Sequence, residues 1–253
     1  MQLNYKKVGE GQPLIILHGL FGSLDNWMTL SKKLGELFEV YIVDARNHGF
    51  SPHDDEFNYE VMADDLNEFI EEHQIIDPII LGHSMGGKTA MQFAMNYPEK
   101  LSKLVVADIA PKPYPIHHDV ILKGMFALDF DIISSRREAD EELAKHIPDL
   151  STRQFILKNL YWKEKGKLAW KFNLPVINNN IEMVGYELKN VSIFSKPTLF
   201  IRGTQSNYIL ESDFPKIKSI FANVKIKDII SGHWVHAESP QNFYAILVEF
   251  LTS

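Results

Sequence analysis

Short, wholly apolar runs alternate along the chain with longer stretches whose apolar residues recur every three or four positions. Pro13–Leu17, Val40–Val43, Pro78–Leu81, Leu104–Ala107 and Thr198–Ile201 are rich in Ile, Val and Leu and bounded by turn residues. This pattern predicts buried strands. Runs that are apolar on both faces fit a parallel sheet covered on both sides. Asp228–Ile230, after Val224-Lys225-Ile226, reads as a late strand. Between the strands, Tyr59–His73 sets Val61, Met62, Leu66, Phe69 and Ile70 at helical spacing. Ser84–Tyr97 predicts a second helix, stopped by Pro98. Pro240 opens a last helix at its first turn, and that helix runs to about Leu251. Alternation of this kind predicts an α/β fold with a mostly parallel sheet and helices on both faces.

The alternation breaks between Pro111 and about Asn190. Pro111, Pro113 and Pro115 open the stretch, which then turns helical without clear strands and carries Phe126, Phe130, Phe155, Tyr161, Trp162, Trp170 and Phe172. Roughly 80 residues are too many for a plain loop in a compact domain. We therefore expect residues 111–190 to form an inserted helical cap on a body of residues 1–110 and 191–253. The cap carries 12 basic and 11 acidic residues, so it is nearly neutral over an acidic body.

Composition narrows the function classes. The 253 residues are 45% hydrophobic and 23% charged, near the globular average, and the net charge is −7. Nucleic-acid binding calls for a basic face and is disfavoured. With no cysteine, disulfides, thiolate catalysis and cysteine-based zinc sites are excluded. The first residues lack a signal-peptide core. No apolar run approaches the ~20 residues of a membrane span. We expect a soluble, cytoplasmic protein.

The strongest chemical signal is Gly82-His83-Ser84-Met85-Gly86, which follows a predicted strand and opens a predicted helix. That context is what a nucleophile elbow requires: a serine on a strained turn, with glycines permitting close packing. The helix N-terminus behind it favours developing negative charge. His18-Gly19-Leu20-Phe21-Gly22-Ser23 follows another strand, where a glycine-rich turn would offer one oxyanion N–H. Leu20 is the expected donor and Phe21 the alternative, with Met85 supplying the second N–H.

A serine also needs a base and an acid. Among 10 histidines, His233 follows Gly232 in the loop between the last strand and the last helix, with His236 as its rival. The turn after Thr198–Ile201, the commonest acid position, reads Arg202-Gly203-Thr204-Gln205-Ser206-Asn207 and holds no carboxylate. Asp108 ends the preceding strand and is taken as the acid, with Glu211 as the alternative. His18, His83, His48, His117 and His118 read as packed or solvated, and Asp44–Ser51 as a turn fixed by its own hydrogen bonds. His233 and His236 have metal-like i, i+3 spacing but no third ligand. No phosphate-cradling glycine loop is present.

These residues together resemble the α/β-hydrolase superfamily over nearly the whole chain, and more narrowly the YbfF-type bacterial esterases. The resemblance rests on the stretches His18–Asn26, Asp44–Ser51, Gly82–Lys88, Asp108–Pro111 and Gly232–Glu238. It implies an α/β-hydrolase fold with an acid after the family's sixth strand, here Asp108. It also implies hydrolysis of esters and acyl-CoA thioesters, without a cofactor. In the cap the likeness is loose, mainly around Trp170–Pro175. Lys163, Lys165, Lys167 and Lys171 offer charge for the phosphates of coenzyme A, although a solvated lysine-rich turn is the simpler reading. Carbon–carbon bond hydrolysis or cofactor-free haloperoxidation on the same triad, and a non-catalytic ligand-binding module on this fold, are the competing readings.

Overall fold

The computed structural model describes residues 1–253. In chain order the strands are β1 (Tyr5–Val8), β2 (Pro13–Leu17), β3 (Glu39–Val43), β4 (Ile79–His83), β5 (Lys103–Ala107), β6 (Leu160–Glu164), β7 (Lys167–Trp170), β8 (Thr198–Gly203) and β9 (Val224–Ile229). Seven of them form one sheet in the order β1-β3-β2-β4-β5-β8-β9. Only β1 is antiparallel to its neighbour, β3.

The alternation of side chains across the sheet builds two cores. Ile15 and Leu17 of β2 face the helices Tyr59–Glu72 and Met85–Asn96. Leu14 and Ile16 face the helices Met28–Leu34 and Pro240–Leu251. In the helix Tyr59–Glu72 the buried face is Met62, Ala63, Leu66, Phe69 and Ile70. Asn58 starts that helix by accepting a hydrogen bond from the Val61 N–H at 2.9 Å.

Parallel register brings the carboxyl ends of the central strands to one edge. Leu17 pairs with Gly82, His83 with Ala107, and Ala107 with Ile201. His18, Ser84, Asp108 and the turn after β8 therefore emerge side by side, where open parallel sheets bind ligands. Between β5 and β8 the chain leaves the sheet. It forms the helices Asp119–Phe126, Arg136–Ala144 and Leu150–Leu157, the β6–β7 hairpin, and the short helices Leu174–Asn179 and Ile181–Gly185. Leu122, Met125, Leu143, Ile156 and Leu168 cluster there with Phe21, Phe57 and Met85 from below.

Two expectations need correction, and one strand is absent from the sequence reading. The insertion is not free of strands, because β6 and β7 pair antiparallel. Tyr161, Trp162 and Trp170 favour strand, and Gly166 takes the turn's left-handed position at φ 81°. The interleaved lysines hide this pattern in the sequence. The late strand is one element, Val224–Ile229, not a separate Asp228–Ile230, because Val224 to Ile229 pair continuously with Thr198 to Gly203. The edge strand β1 was not anticipated: Tyr5-Lys6-Lys7-Val8 is largely exposed and shows no apolar run. No helix is long and apolar enough to cross a membrane.

Candidate active site

Ser84 sits at the turn from β4 into the helix Met85–Asn96, at φ 54° and ψ −117°. A non-glycine residue held there stores roughly 1–3 kcal/mol of strain. The turn closes only because its neighbours lack side chains. A Cβ on Gly82 would overlap the Gly86 carbonyl, and one on Gly86 would overlap the Leu17 carbonyl. The Ser84 N–H donates to the Ala107 carbonyl at 3.1 Å, so the elbow is pinned to the next strand.

Three side chains that motif and position singled out lie in one hydrogen-bonded line. His233 Nε2 is 2.9 Å from Ser84 Oγ, and His233 Nδ1 is 2.8 Å from Asp108 Oδ2. An Nδ1–H donating to the carboxylate leaves Nε2 to accept the serine proton. Asp108 is fully buried. Its carboxylate also accepts from the Gly203 N–H at 2.9 Å and from the Ser206 hydroxyl. The loop carrying His233 is tied down by Glu238, which accepts from the Gly232 N–H at 2.6 Å and the Trp234 N–H at 3.1 Å. His83 Nε2–H donates to the His233 carbonyl at 2.9 Å, and burial holds the His83 imidazole well below its ordinary pKa, hence neutral.

The rival residues are occupied elsewhere. The Glu211 side chain is 82% exposed, 3.7 Å from Arg202. His236 is buried and stacked on Trp27 at 4.0 Å. Burial, reinforced by His233, pushes the His236 pKa down to about 3.

The turn after β2 separates the two candidate oxyanion donors. The Phe21 N–H donates to His48 Nε2 at 3.2 Å, while His48 Nδ1–H donates to the Arg46 carbonyl at 3.0 Å. Burial pushes the His48 pKa down to about 3, so Nε2 stays an acceptor. Phe21 is thus engaged, whereas the Leu20 and Met85 N–H groups have no acceptor in the protein. Asn159 donates to the Phe21 carbonyl at 2.6 Å and ties this turn to the insertion. His18 is braced between the Gly19 carbonyl and the Ala45 N–H. Asp44 accepts from the Leu24 and Phe50 N–H groups, and Arg46 forks onto Asp65 at 2.6 and 2.8 Å.

Residues 12–145 match the family profile described as alpha/beta hydrolase fold. The chain is also 36% identical over 252 residues to an sn-1-specific diacylglycerol lipase ABHD11 of Xenopus laevis, covering 96% of this chain and 80% of that relative. It belongs to the α/β-hydrolase family. Esterase YbfF of Escherichia coli is 36% identical over 234 residues, with 91% of this chain and 89% of that protein covered. Among solved structures, a marine microorganism esterase superposes with a TM-score of 0.96 at 42% identity, over 98% of this chain and 99% of that one. The protein is an α/β hydrolase of the esterase/lipase type.

Two cavities of this hydrolase meet at Ser84. One of about 430 Å³ is walled by Tyr59, Met85, Ile109, Tyr114 and Val184. The other, about 260 Å³, is walled by Thr152, Phe155, His233 and Trp234. Leu20, His118 and Tyr208 line both. Sequence reading missed Ser206 and Tyr208. The Tyr208 ring stacks on His233 at 3.9 Å and 19°. Both residues lie in or just beyond the turn that was searched only for a carboxylate. It also set aside His118, whose buried Nδ1 has no hydrogen-bond partner. Of the lysines considered for phosphates, Lys167 pairs with Asp131 at 3.0 Å and Lys171 with Asp25 at 2.7 Å. No group of three or more His, Asp or Glu side chains is placed to hold a metal ion.

Proposed function

We propose that the hydrolase cleaves carboxylic esters through an acyl-enzyme on Ser84, with residues 111–190 as a cap over a body of residues 1–110 and 191–253. The observation that carries this reading is the unbroken line from Ser84 Oγ through His233 to Asp108, at 2.9 and 2.8 Å. Ser84 Oγ attacks the acyl carbon and its proton passes to His233 Nε2. Asp108 fixes the imidazole's tautomer and supports its positive charge. The Leu20 and Met85 N–H groups take the oxyanion. His233 then protonates the leaving oxygen as the C–O bond breaks. Water attacks the acyl-enzyme by the same route, freeing the acid and restoring Ser84.

Proton delivery assigns the two cavities. The leaving group must lie on the His233 side, so the alcohol occupies the cavity with His233 and Trp234 in its wall. The acyl chain then takes the larger cavity beside Met85 and Ile109. Tyr59, Tyr114, Tyr208 and several aliphatic side chains suit an apolar acyl group there. The diacylglycerol lipase relatives make glycerol esters the first natural class to test. An acyl-CoA thioester would follow the same steps with sulfur leaving, and Lys163 and Lys165 are the hairpin lysines without a carboxylate partner for its phosphates.

The test is a panel of 4-nitrophenyl esters, acylglycerols and acyl-CoAs with wild type and Ser84→Ala. Turnover of at least one ester by wild type, lost in Ser84→Ala, is expected. Turnover that survives in Ser84→Ala overturns the reading.

A further inference from the structure

Lys88 stands in the helix behind Ser84 and is wholly buried. Its ammonium finds carbonyls rather than carboxylates: Nζ donates to the Lys112 carbonyl at 2.6 Å and the Tyr186 carbonyl at 2.7 Å. It also lies 5.2 Å from the centre of the Tyr114 ring and 5.7 Å from that of Tyr59. Burying an ammonium without a counter-ion costs several kcal/mol unless its protons are bonded. Burial pushes the Lys88 pKa down to about 7, with Lys216 and Lys112 acting in the same direction and Glu187 against them. An apolar side chain of similar length would fill the space without that cost, so the ammonium calls for a role beyond packing.

The two carbonyls indicate that role. Lys112 and Tyr186 lie at the two crossings where the chain enters and leaves the insertion. The crossings are bonded to each other, Tyr114 N–H to the Gly185 carbonyl at 2.8 Å. The Tyr59 hydroxyl donates to the neighbouring Val184 carbonyl at 2.6 Å. Tyr59, Lys112, Tyr114, Val184 and Gly185 all belong to the wall of the 430 Å³ cavity. A single ammonium therefore joins the helix of the nucleophile to both edges of that wall. We propose that Lys88 is a positioning residue that clamps the two crossings together and so sets which acyl chains the larger cavity accepts. The proposal rests on the assignment of that cavity to the acyl group.

The test is the ratio of kcat/KM for 4-nitrophenyl octanoate to that for 4-nitrophenyl acetate. The acetyl group makes little use of the wall, and the octanoyl chain lies along it. In Lys88→Met the ratio falls roughly tenfold, mainly through the octanoate KM, the scale of one charge-assisted hydrogen bond. An unchanged ratio overturns the proposal, as does an equal loss on both esters, which marks a merely structural lysine. If wild type cleaves no ester of the panel above, the ester reading itself fails instead; if it cleaves only acylglycerols, the ratio is taken between a long-chain and a short-chain acylglycerol.

If Lys88→Met does not fold, the same ratio is read in Lys88→Gln, whose shorter neutral amide keeps a polar end but cannot join both carbonyls as the ammonium does. A fall of the same order is expected there, again mainly through the octanoate KM. An unchanged ratio in Lys88→Gln, or an equal loss on both esters, overturns the clamp.

Discussion

In the proposed mechanism Ser84 and His233 act as a unit, so removing either should cost on the order of 10⁶ in turnover. Ser84→Ala and His233→Ala are expected to lose ester hydrolysis while keeping the wild-type circular dichroism spectrum. Full activity in His233→Ala would remove it as the base. Asp108→Asn should lose roughly 10⁴ in kcat, because the imidazole loses the partner that fixes its tautomer. Glu211→Gln, at an exposed side chain, should match wild type in the same assay, and the reverse ranking would reassign the acid. The candidate serine and base were legible, Ser84 from Gly82-His83-Ser84-Met85-Gly86 between a strand and a helix, and His233 from its place after Gly232 in the loop before the last helix. Asp108 emerged because the later turn lacked a carboxylate. Ser206 and Tyr208 were not legible. Their contacts with Asp108 and His233 depend on how the turn after β8 folds back, and no residue-type pattern encodes that.

The elements behave as their burial dictates. Apolar runs read directly as β2 to β5 and β8, since both faces of these strands are covered. β1 and the β6–β7 hairpin stayed hidden because lysines occupy positions that solvent, not the core, receives. The elbow is the element with the least tolerance. A Cβ on Gly86 would run into the Leu17 carbonyl, and backbone cannot move aside as a side chain can. Gly86→Ala is expected to destabilise by about 1–3 kcal/mol or more and to displace Ser84. A urea midpoint and activity both at wild-type level would contradict that packing.

For the whole molecule, the sequence pattern and the family resemblance conveyed the sheet and the order of the chemistry along it. The shape of the two cavities was not legible, because it comes from insertion residues packed against Phe21, Phe57 and Met85. The molecule also carries buried neutral histidines on both sides of Ser84, which gives its stability a pH dependence. His48 and His236 fall from about 6.5 unfolded to about 3 folded. Between those values the unfolded chain binds more protons, so stability is full above about pH 6.5 and declines as pH falls toward about 3. Each group contributes a slope of at most about 1.4 kcal/mol per pH unit. The urea midpoint should therefore drop from about pH 7.5 to about pH 5, and by less in His48→Gln, which cannot take up that proton. An identical drop in both proteins would remove His48 from the account. The central claim, that Ser84 is the nucleophile of an ester hydrolase, is tested most directly by intact-mass and peptide analysis after a fluorophosphonate probe. The account predicts one adduct, on Ser84, appearing in step with the loss of ester turnover and absent in Ser84→Ala. No adduct, or an adduct on another residue while turnover falls, would contradict it.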